Sequence, residues 1–240
     1  MNSVPDRFAH HPELRHKIRD PQQSYFRTFN PEDFDKRMKD MGIRGPWRLT
    51  DEKREATRTK TLADHRNEEL WVFAYGSLMW DPGFEFTDVL KAHVDGYRRS
   101  FCLKDELGAR GTFDTPGLMA ALDNGGACTG LAFRIAEEQL EAETEILWRR
   151  EMVTGVYVPT ILDAESKLGT IKCIAFVANH KASRICPDLP REEKIRYLAT
   201  GTGVLGTSLE YIENLADHLT ALGIDDPYVF SLLDEAQAYQ

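Results

Sequence analysis

Glu151 is the hardest residue in this 240-residue chain to explain as scaffolding. Leu140, Thr144, Leu147 and Glu151 recur at spacings of four, three and four. On a helix that spacing puts all four on one face. A carboxylate on a face used for the core is costly unless it is hydrogen-bonded or protonated. Glu151 also falls at the helix C-terminal end, where the dipole disfavours negative charge. Both effects push its pKa upward, as a general base working near neutrality needs. A pairing with Arg149, Arg150 or another cation would make it a structural ion pair instead. Spacing alone does not choose between the two.

The second candidate is the stretch Val72-Phe73-Ala74-Tyr75-Gly76-Ser77-Leu78-Met79-Trp80. The apolar run from Trp71 to Tyr75 reads as a short buried strand. Gly76-Ser77 breaks it. Glycine takes backbone angles that other residues avoid, so amides on either side can converge into a nest for a carboxylate or phosphate. The same letters also suit an ordinary strand-to-turn exit. Ser77 as a nucleophile is the weaker chemistry, because no base is placed beside it by the sequence. Arg98, Arg99 and Arg110 could clamp a carboxylate by bidentate pairing, or could be strand-face charges. Tyr157 and Tyr211 could turn hydroxyls into a cleft, or form half-buried core edges. Asp81-Pro82 reads as a turn. Gly201-Thr202-Gly203, in a helix-to-loop context, reads as a linker.

These residues need a frame. Strands are expected at 71–75, 92–103, 157–162 and 170–178. The runs 118–122 and 128–135, separated by Asn124-Gly125-Gly126, read as a hairpin. A central helix is expected from Ala136 to about Arg150, with glutamates early and Arg149-Arg150 late, as the dipole favours. The C-terminal third reads as helical. One helix covers about 190–198. Thr207-Ser208 caps a second, with Leu209, Ile212, Leu215, Leu219 and Leu222 on one face and Gly223 as the stop. Asp226-Pro227 opens a third. At least five strands around one helix, with further helices after them, argue for α+β rather than alternating βαβ units.

Residues 1–70 differ in texture. Asn30-Pro31 with Phe34, Met38, Met41 and Gly42 fits a short capped helix. The stretch from Thr50 to about Arg66 is polar nearly all round, so it reads as either a solvated helix or poorly ordered chain. We expect an extension (1–70) that packs loosely on the main domain (71–240) or mediates assembly, without chemistry of its own.

A net charge of −9 argues against an extensive nucleic-acid surface. No apolar run approaches a membrane span, and the N-terminal residues have no apolar signal core. Cys102, Cys128, Cys173 and Cys186 are scattered, without CxxC spacing, and read as reduced thiols in a cytoplasmic protein. No metal-ligand spacing is visible, and neither is a Walker loop or GxGxxG.

Taken together, five segments resemble one family. Phe73-Ala74-Tyr75-Gly76-Ser77-Leu78-Met79-Trp80 is similar to the signature loop of the ChaC-type γ-glutamylcyclotransferases, with Ala74 where glycine is more usual. Gly96-Tyr97-Arg98-Arg99-Ser100-Phe101 resembles the next strand of that family. Arg110-Gly111-Thr112 with Pro116-Gly117-Leu118, then Arg150-Glu151-Met152-Val153 with Gly155 and Tyr157, then Gly206-Thr207-Ser208-Leu209-Glu210-Tyr211, resemble the remaining segments in order. The resemblance covers about 71–233. It implies a small mixed β-barrel flanked by helices, and breakdown of glutathione to 5-oxoproline and cysteinylglycine with no cofactor and no metal. It implies that Glu151 is the acid/base and that the loop Tyr75, Gly76, Ser77 and Leu78 binds the γ-glutamyl group. Arg99, Tyr157 and Tyr211 are the remaining candidate substrate-binding residues. Two alternatives stay open: a cyclotransferase for other γ-glutamyl amines or peptides, and a non-enzymatic binding or regulatory protein of cation transport on the same fold. The sequence leaves the oligomeric state undetermined.

Overall fold

A computed structural model describes residues 6–43, 45–65 and 68–239. Five strands close into a barrel: β1 (Leu70–Ala74), β2 (Asp88–Leu107), β3 (Thr112–Ile135), β4 (Tyr157–Ser166) and β5 (Gly169–Ala178), in the order β1-β3-β2-β4-β5. Neighbours along that order run antiparallel, and a parallel contact of Trp71 with Cys173 and Val72 with Ile174 joins β1 to β5. The barrel is therefore mixed, as expected.

β1 is apolar throughout because both its faces are buried. Phe73 and Tyr75 join Ala92, Val94, Leu122, Ala164, Cys173 and Ala175, a set drawn from every barrel strand. Small residues on this face let five strands close around it. Val72 and Ala74 face the other way, into the main core shared with the helices.

One expectation is corrected. The segments around 118–122 and 128–135 form no hairpin. They are a single strand, β3, paired with β2 along most of its length. The register steps from Asp95↔Ala127 to Tyr97↔Asn124, so Gly96 opposes Gly125-Gly126. All three glycines have positive φ. Residues free to adopt φ > 0 on both strands bend the ribbon at a bulge rather than reversing the chain. The bend lets two strands of 20 and 24 residues wrap a small barrel.

α4 (Leu140–Glu151) sits where the glutamate-to-arginine gradient placed it, and buries Leu140, Thr144, Leu147 and Trp148. The C-terminal helices α5 (Arg191–Thr200), α6 (Ser208–Ala221) and α7 (Pro227–Gln237) start and stop near their expected ends. Thr207 and Glu210 make a reciprocal capping box at the start of α6. Asp226 caps Val229 on α7. The segment 201–207, read as a linker, is a two-stranded ribbon of β6 (Thr202–Gly203) and β7 (Gly206–Thr207). It is hydrogen-bonded to the β2–β3 turn through the Val204 and Leu205 amides.

The N-terminal segment holds α1 (Tyr25–Thr28), α2 (Asp35–Asp40) and α3 (Asp51–Thr61). Asn30 caps the turn that leads into α2, and Gly42 comes after it at φ 78°. α3 is an ordered helix whose polar face is used: Arg58 bonds Thr144 Oγ1 at 3.0 Å, and Trp148 Nε1 donates to Thr57 Oγ1 at 3.2 Å. Arg66, the expected end of this helix, lies outside the described residues. Loose packing is not observed. Phe8, Leu14, Ile18 and Leu62 belong to the main hydrophobic core. The sequence hides this because the anchors are single residues set in polar surroundings.

Leu14 is fully buried. Leu14→Ala should lower unfolding stability by about 2–5 kcal/mol, as for other core truncations, measured by denaturant titration. A loss below about 0.5 kcal/mol, the range of ordinary surface changes, would mean that the segment is only an appendage.

Candidate active site

β1 delivers the first part of the site. Its backbone runs out at Tyr75, whose hydroxyl donates to the Phe176 carbonyl at 2.6 Å. After Gly76 the chain makes one 3₁₀ turn, Ser77–Met79, with the Met79 amide bonded to the Gly76 carbonyl at 2.8 Å. Leu78 and Met79 are buried in the main core and pin the turn. The Ser77 and Leu78 amides stand ahead of the turn's own bonds and have no acceptor within it.

Gly76 is needed for a different reason than expected. Its φ is −141°, so positive φ is not at issue. A Cβ there would lie 2.5 Å from Tyr211 Oη and 3.7 Å from Tyr211 Cζ. Glycine is required by the close approach of one hydroxyl.

α4 delivers the second part. Glu151 is its last residue, with 11 % of its side chain exposed. Arg150 Nε lies 2.9 Å from Glu151 Oε1. Burial pushes the Glu151 carboxyl above the ordinary glutamate value, and the Arg150 charge offsets this only in part. Glu151 thus has both features that the sequence set against each other, an inward carboxylate and a cation partner.

Arg150 does more than neutralise. Its other nitrogens donate to Ser77 Oγ at 2.9 Å, to the Pro82 carbonyl at 3.2 Å and to the Asp81 carbonyl. One buried guanidinium thus joins the loop after β1 to the carboxylate on α4. Ser77 Oγ is occupied as an acceptor from Arg150, which is a cation and not a base. The sequence signal for Arg150 was its adjacency to Glu151, but adjacency showed nothing of Ser77.

Tyr157 opens β4 and Tyr211 lies on α6. Tyr75, Tyr157, Tyr211 and Glu151 are close enough to feel one another's charge. Burial raises all three phenols, Tyr211 to about 12, so they remain neutral hydrogen-bond donors at ordinary pH.

Two cavities meet here. One, of about 180 Å³, is lined by Glu151 and Tyr157; the other, of about 1000 Å³, is lined by Trp80, Arg110 and Tyr211. They share Tyr25, Phe26, Ser77, Met119, Arg150 and Leu205. Tyr25 and Phe26 come from the N-terminal segment, from which no chemistry was expected.

Arg99 is not brought into this space. Its side chain is 2 % exposed and donates to the Tyr75 carbonyl (2.7 Å), the Thr129 carbonyl (2.7 Å) and Asp226. It braces the loop from behind and lines a separate cavity with His93 and Arg98. Arg98 pairs with Asp123 at 3.2 Å. Of the three arginines weighed from sequence, Arg110 faces the wider cavity. It is mostly buried, lies 5.9 Å from the Tyr211 ring centre, and donates to the Thr207 carbonyl at 3.0 Å.

A closed mixed barrel with a loop after its first strand and a buried glutamate beside it has the γ-glutamylcyclotransferase-like architecture. A yeast γ-glutamylcyclotransferase structure specific to glutathione aligns with a TM-score of 0.66 at 19 % identity, covering 72 % of this chain and 98 % of that one, which shows the shared fold. The family model described as ChaC-like protein matches residues 70–239, and the chain belongs to that family. The Escherichia coli K12 glutathione-specific γ-glutamylcyclotransferase is 39 % identical over 184 residues, covering 76 % of this chain and 79 % of that relative. The human glutathione-specific γ-glutamylcyclotransferase 1 is 30 % identical over 174 residues, covering 70 % and 78 % respectively.

The Gly76 contact can be tested without substrate. Gly76→Ala should cost about 1–3 kcal/mol of stability, the usual range for overpacking. In the double variant with Tyr211→Phe most of that loss should return, since the remaining ring carbon is at ordinary contact distance. Additive losses in this double-mutant cycle would sink the contact as the reason for glycine.

Proposed function

We propose that this chain is a glutathione-specific γ-glutamylcyclotransferase, converting glutathione to 5-oxoproline and cysteinylglycine. The observation that carries the reading is Glu151, a partly neutralised carboxylate in a small cavity, tied through Arg150 to the loop after β1. Membership of the ChaC-like family and the names of its E. coli and human relatives support it. An inward carboxylate with a raised pKa has a use in an enzyme and is a burden in a pure binding module.

The chemistry needs few parts. The α-amine of the γ-glutamyl group must be neutral to attack. Glu151 takes its proton, and the nitrogen then adds to the γ-carbonyl of the same group to close a five-membered ring. The γ-amide C–N bond breaks as the proton held by Glu151 passes to the departing cysteinyl nitrogen, and the ring nitrogen gives its second proton to the freed carboxylate, which passes it to the product amine or to water, leaving the neutral lactam of 5-oxoproline. The nucleophile is already tethered, and effective molarities of about 10⁵ M or more are open to well-oriented intramolecular reactions. The amides between Tyr75 and Leu78 hold the α-carboxylate or the developing oxyanion, where prepositioned donors are most effective. The neutral hydroxyls of Tyr157 and Tyr211 add donors without charge. Arg110, in the wider cavity, is placed for the peptide carboxylate, and Arg99 supports the loop rather than the substrate.

In this reading residues 71–240 form the catalytic domain and residues 1–70 an added segment; the start of the family match at residue 70 supports that division. No helix among the described residues is long and apolar enough to cross a membrane. All four cysteines are free thiols, which fits a reducing cytoplasm.

Purified protein given glutathione should release 5-oxoproline, and γ-glutamyl dipeptides run beside it set the preference. Glu151→Gln keeps the shape and removes the base, so kcat should fall at least ~10²-fold. Near-native turnover in a folded Glu151→Gln variant would falsify the assignment. The pH profile supplies a second check. Glu151 acts as base only when ionised, and its pKa is raised. The acid limb of kcat/KM should therefore have its midpoint above the ordinary glutamate value of about 4.3, with activity lost as pH falls through it. A limb at or below that value would contradict the buried base.

A further inference from the structure

Phe26 lies in the N-terminal segment, outside residues 70–239 that match the family model. Its ring centre is 3.8 Å from the Arg150 guanidinium carbon, well inside the ~6 Å reach of a cation–π contact. The edge of that guanidinium is already committed. Nε meets Glu151, one terminal nitrogen meets Ser77 Oγ, and the other meets the Asp81 and Pro82 carbonyls. A planar guanidinium bonded around its edge has only its two faces left. Phe26 covers one of them.

The ring is held in place. Next to it in α1, Arg27 makes a two-point ion pair with Glu143 of α4, one arm at 3.0 Å. Glu143 also accepts from the Glu85 amide at 2.8 Å. Arg149 of α4 donates back to the Arg27 carbonyl at 3.1 Å. On the far side Gly83, at φ 73°, lets the loop pass close beneath; a Cβ there would be 3.1 Å from Phe26 Cβ. The helix that carries the base thus also grips Arg27, the neighbour of the residue that covers the base's partner.

We propose that Phe26 is a positioning residue of the active site, one that shields Arg150 and holds it where it bonds Glu151 and Ser77 together. This rests on the cyclotransferase reading for its catalytic consequence, but not for its structural content. Without the ring, water reaches the guanidinium face and competes for the Glu151 and Ser77 bonds, as it does for exposed ion pairs. The carboxylate and the loop then lose their common tie. The added N-terminal segment thereby contributes one positioning residue to the site of the catalytic domain.

The test uses the full chain with Phe26→Ala, Phe26→Leu and Phe26→Trp. Leucine keeps apolar volume but has no ring face; tryptophan restores one. The first readout needs no substrate: solvent exchange of the Arg150 Nε–H, tracked by ¹⁵N NMR. Exchange should speed up about tenfold or more in the Ala and Leu variants and return toward the native rate with Trp. The second readout is turnover of glutathione. In Ala and Leu kcat should fall ~10-fold or more, within the ~10² cost of a misplacement of about 1 Å, with a smaller change in KM, and Trp should recover most of it. Native exchange rates in folded Ala or Leu variants would overturn the proposal, and so would Leu performing as well as Trp. A wild type that makes no 5-oxoproline would refute the cyclotransferase reading instead and would leave the exchange result to decide the role of Phe26.

Discussion

The site is organised by one buried cation. Arg150 has 5 % of its side chain exposed and faces Glu151, which has 11 % exposed. Moving such groups out of water is costly, and a buried pair is tolerated only when its remaining donors are satisfied. Here every nitrogen of the guanidinium has an acceptor, the two terminal ones in Ser77 and in two carbonyls of the loop beyond it. The desolvation cost thereby becomes a constraint on geometry. The end of α4 and the exit of β1 cannot drift apart without stranding a charge. Burial keeps the carboxyl's proton affinity high, while the guanidinium limits how high it rises.

The rest of the fold serves that constraint. The barrel fixes β1, and Arg99 grips the Tyr75 carbonyl from the far side. Leu78 and Met79 lock the turn into the core. α6 is fixed by its capping box and brings Tyr211 against Gly76, with so little space that only hydrogen fits there. The loop is thus held from three directions: by a cation behind it, a cation beside it and a phenol above it. Such a loop is preorganised, and preorganised donors cost no reorganisation when charge develops on a substrate.

Much of this was readable in the letters. The burial of β1, the caps of α6 and α7, and the inward place of Glu151 each come from local pattern. Other features could not be read locally. Gly125-Gly126 would serve a hairpin or a bulge equally well, and the deciding residue, Gly96, lies in a different strand. Arg99 and Arg110 look alike in sequence, yet Arg99, on β2, braces the loop from behind, whereas Arg110, in the β2–β3 turn, faces the wider cavity, held there by the Thr207 carbonyl about a hundred positions away. The role of Phe26 left no trace at all, because its meaning depends on Arg150, more than a hundred positions away.

The central claim is that the γ-glutamyl group lies between the Tyr75–Leu78 amides and Glu151. The direct measurement is a crystal structure with a glutathione analogue in which a methylene replaces the γ-amide nitrogen, so that it binds and is not cleaved. The α-amine should lie within ~2.7–3.2 Å of a Glu151 carboxylate oxygen, with a γ-glutamyl oxygen at the same range from the loop amides. Finding the analogue in the cavity beside His93 and Arg99, or with its amine turned away from Glu151, would contradict that claim.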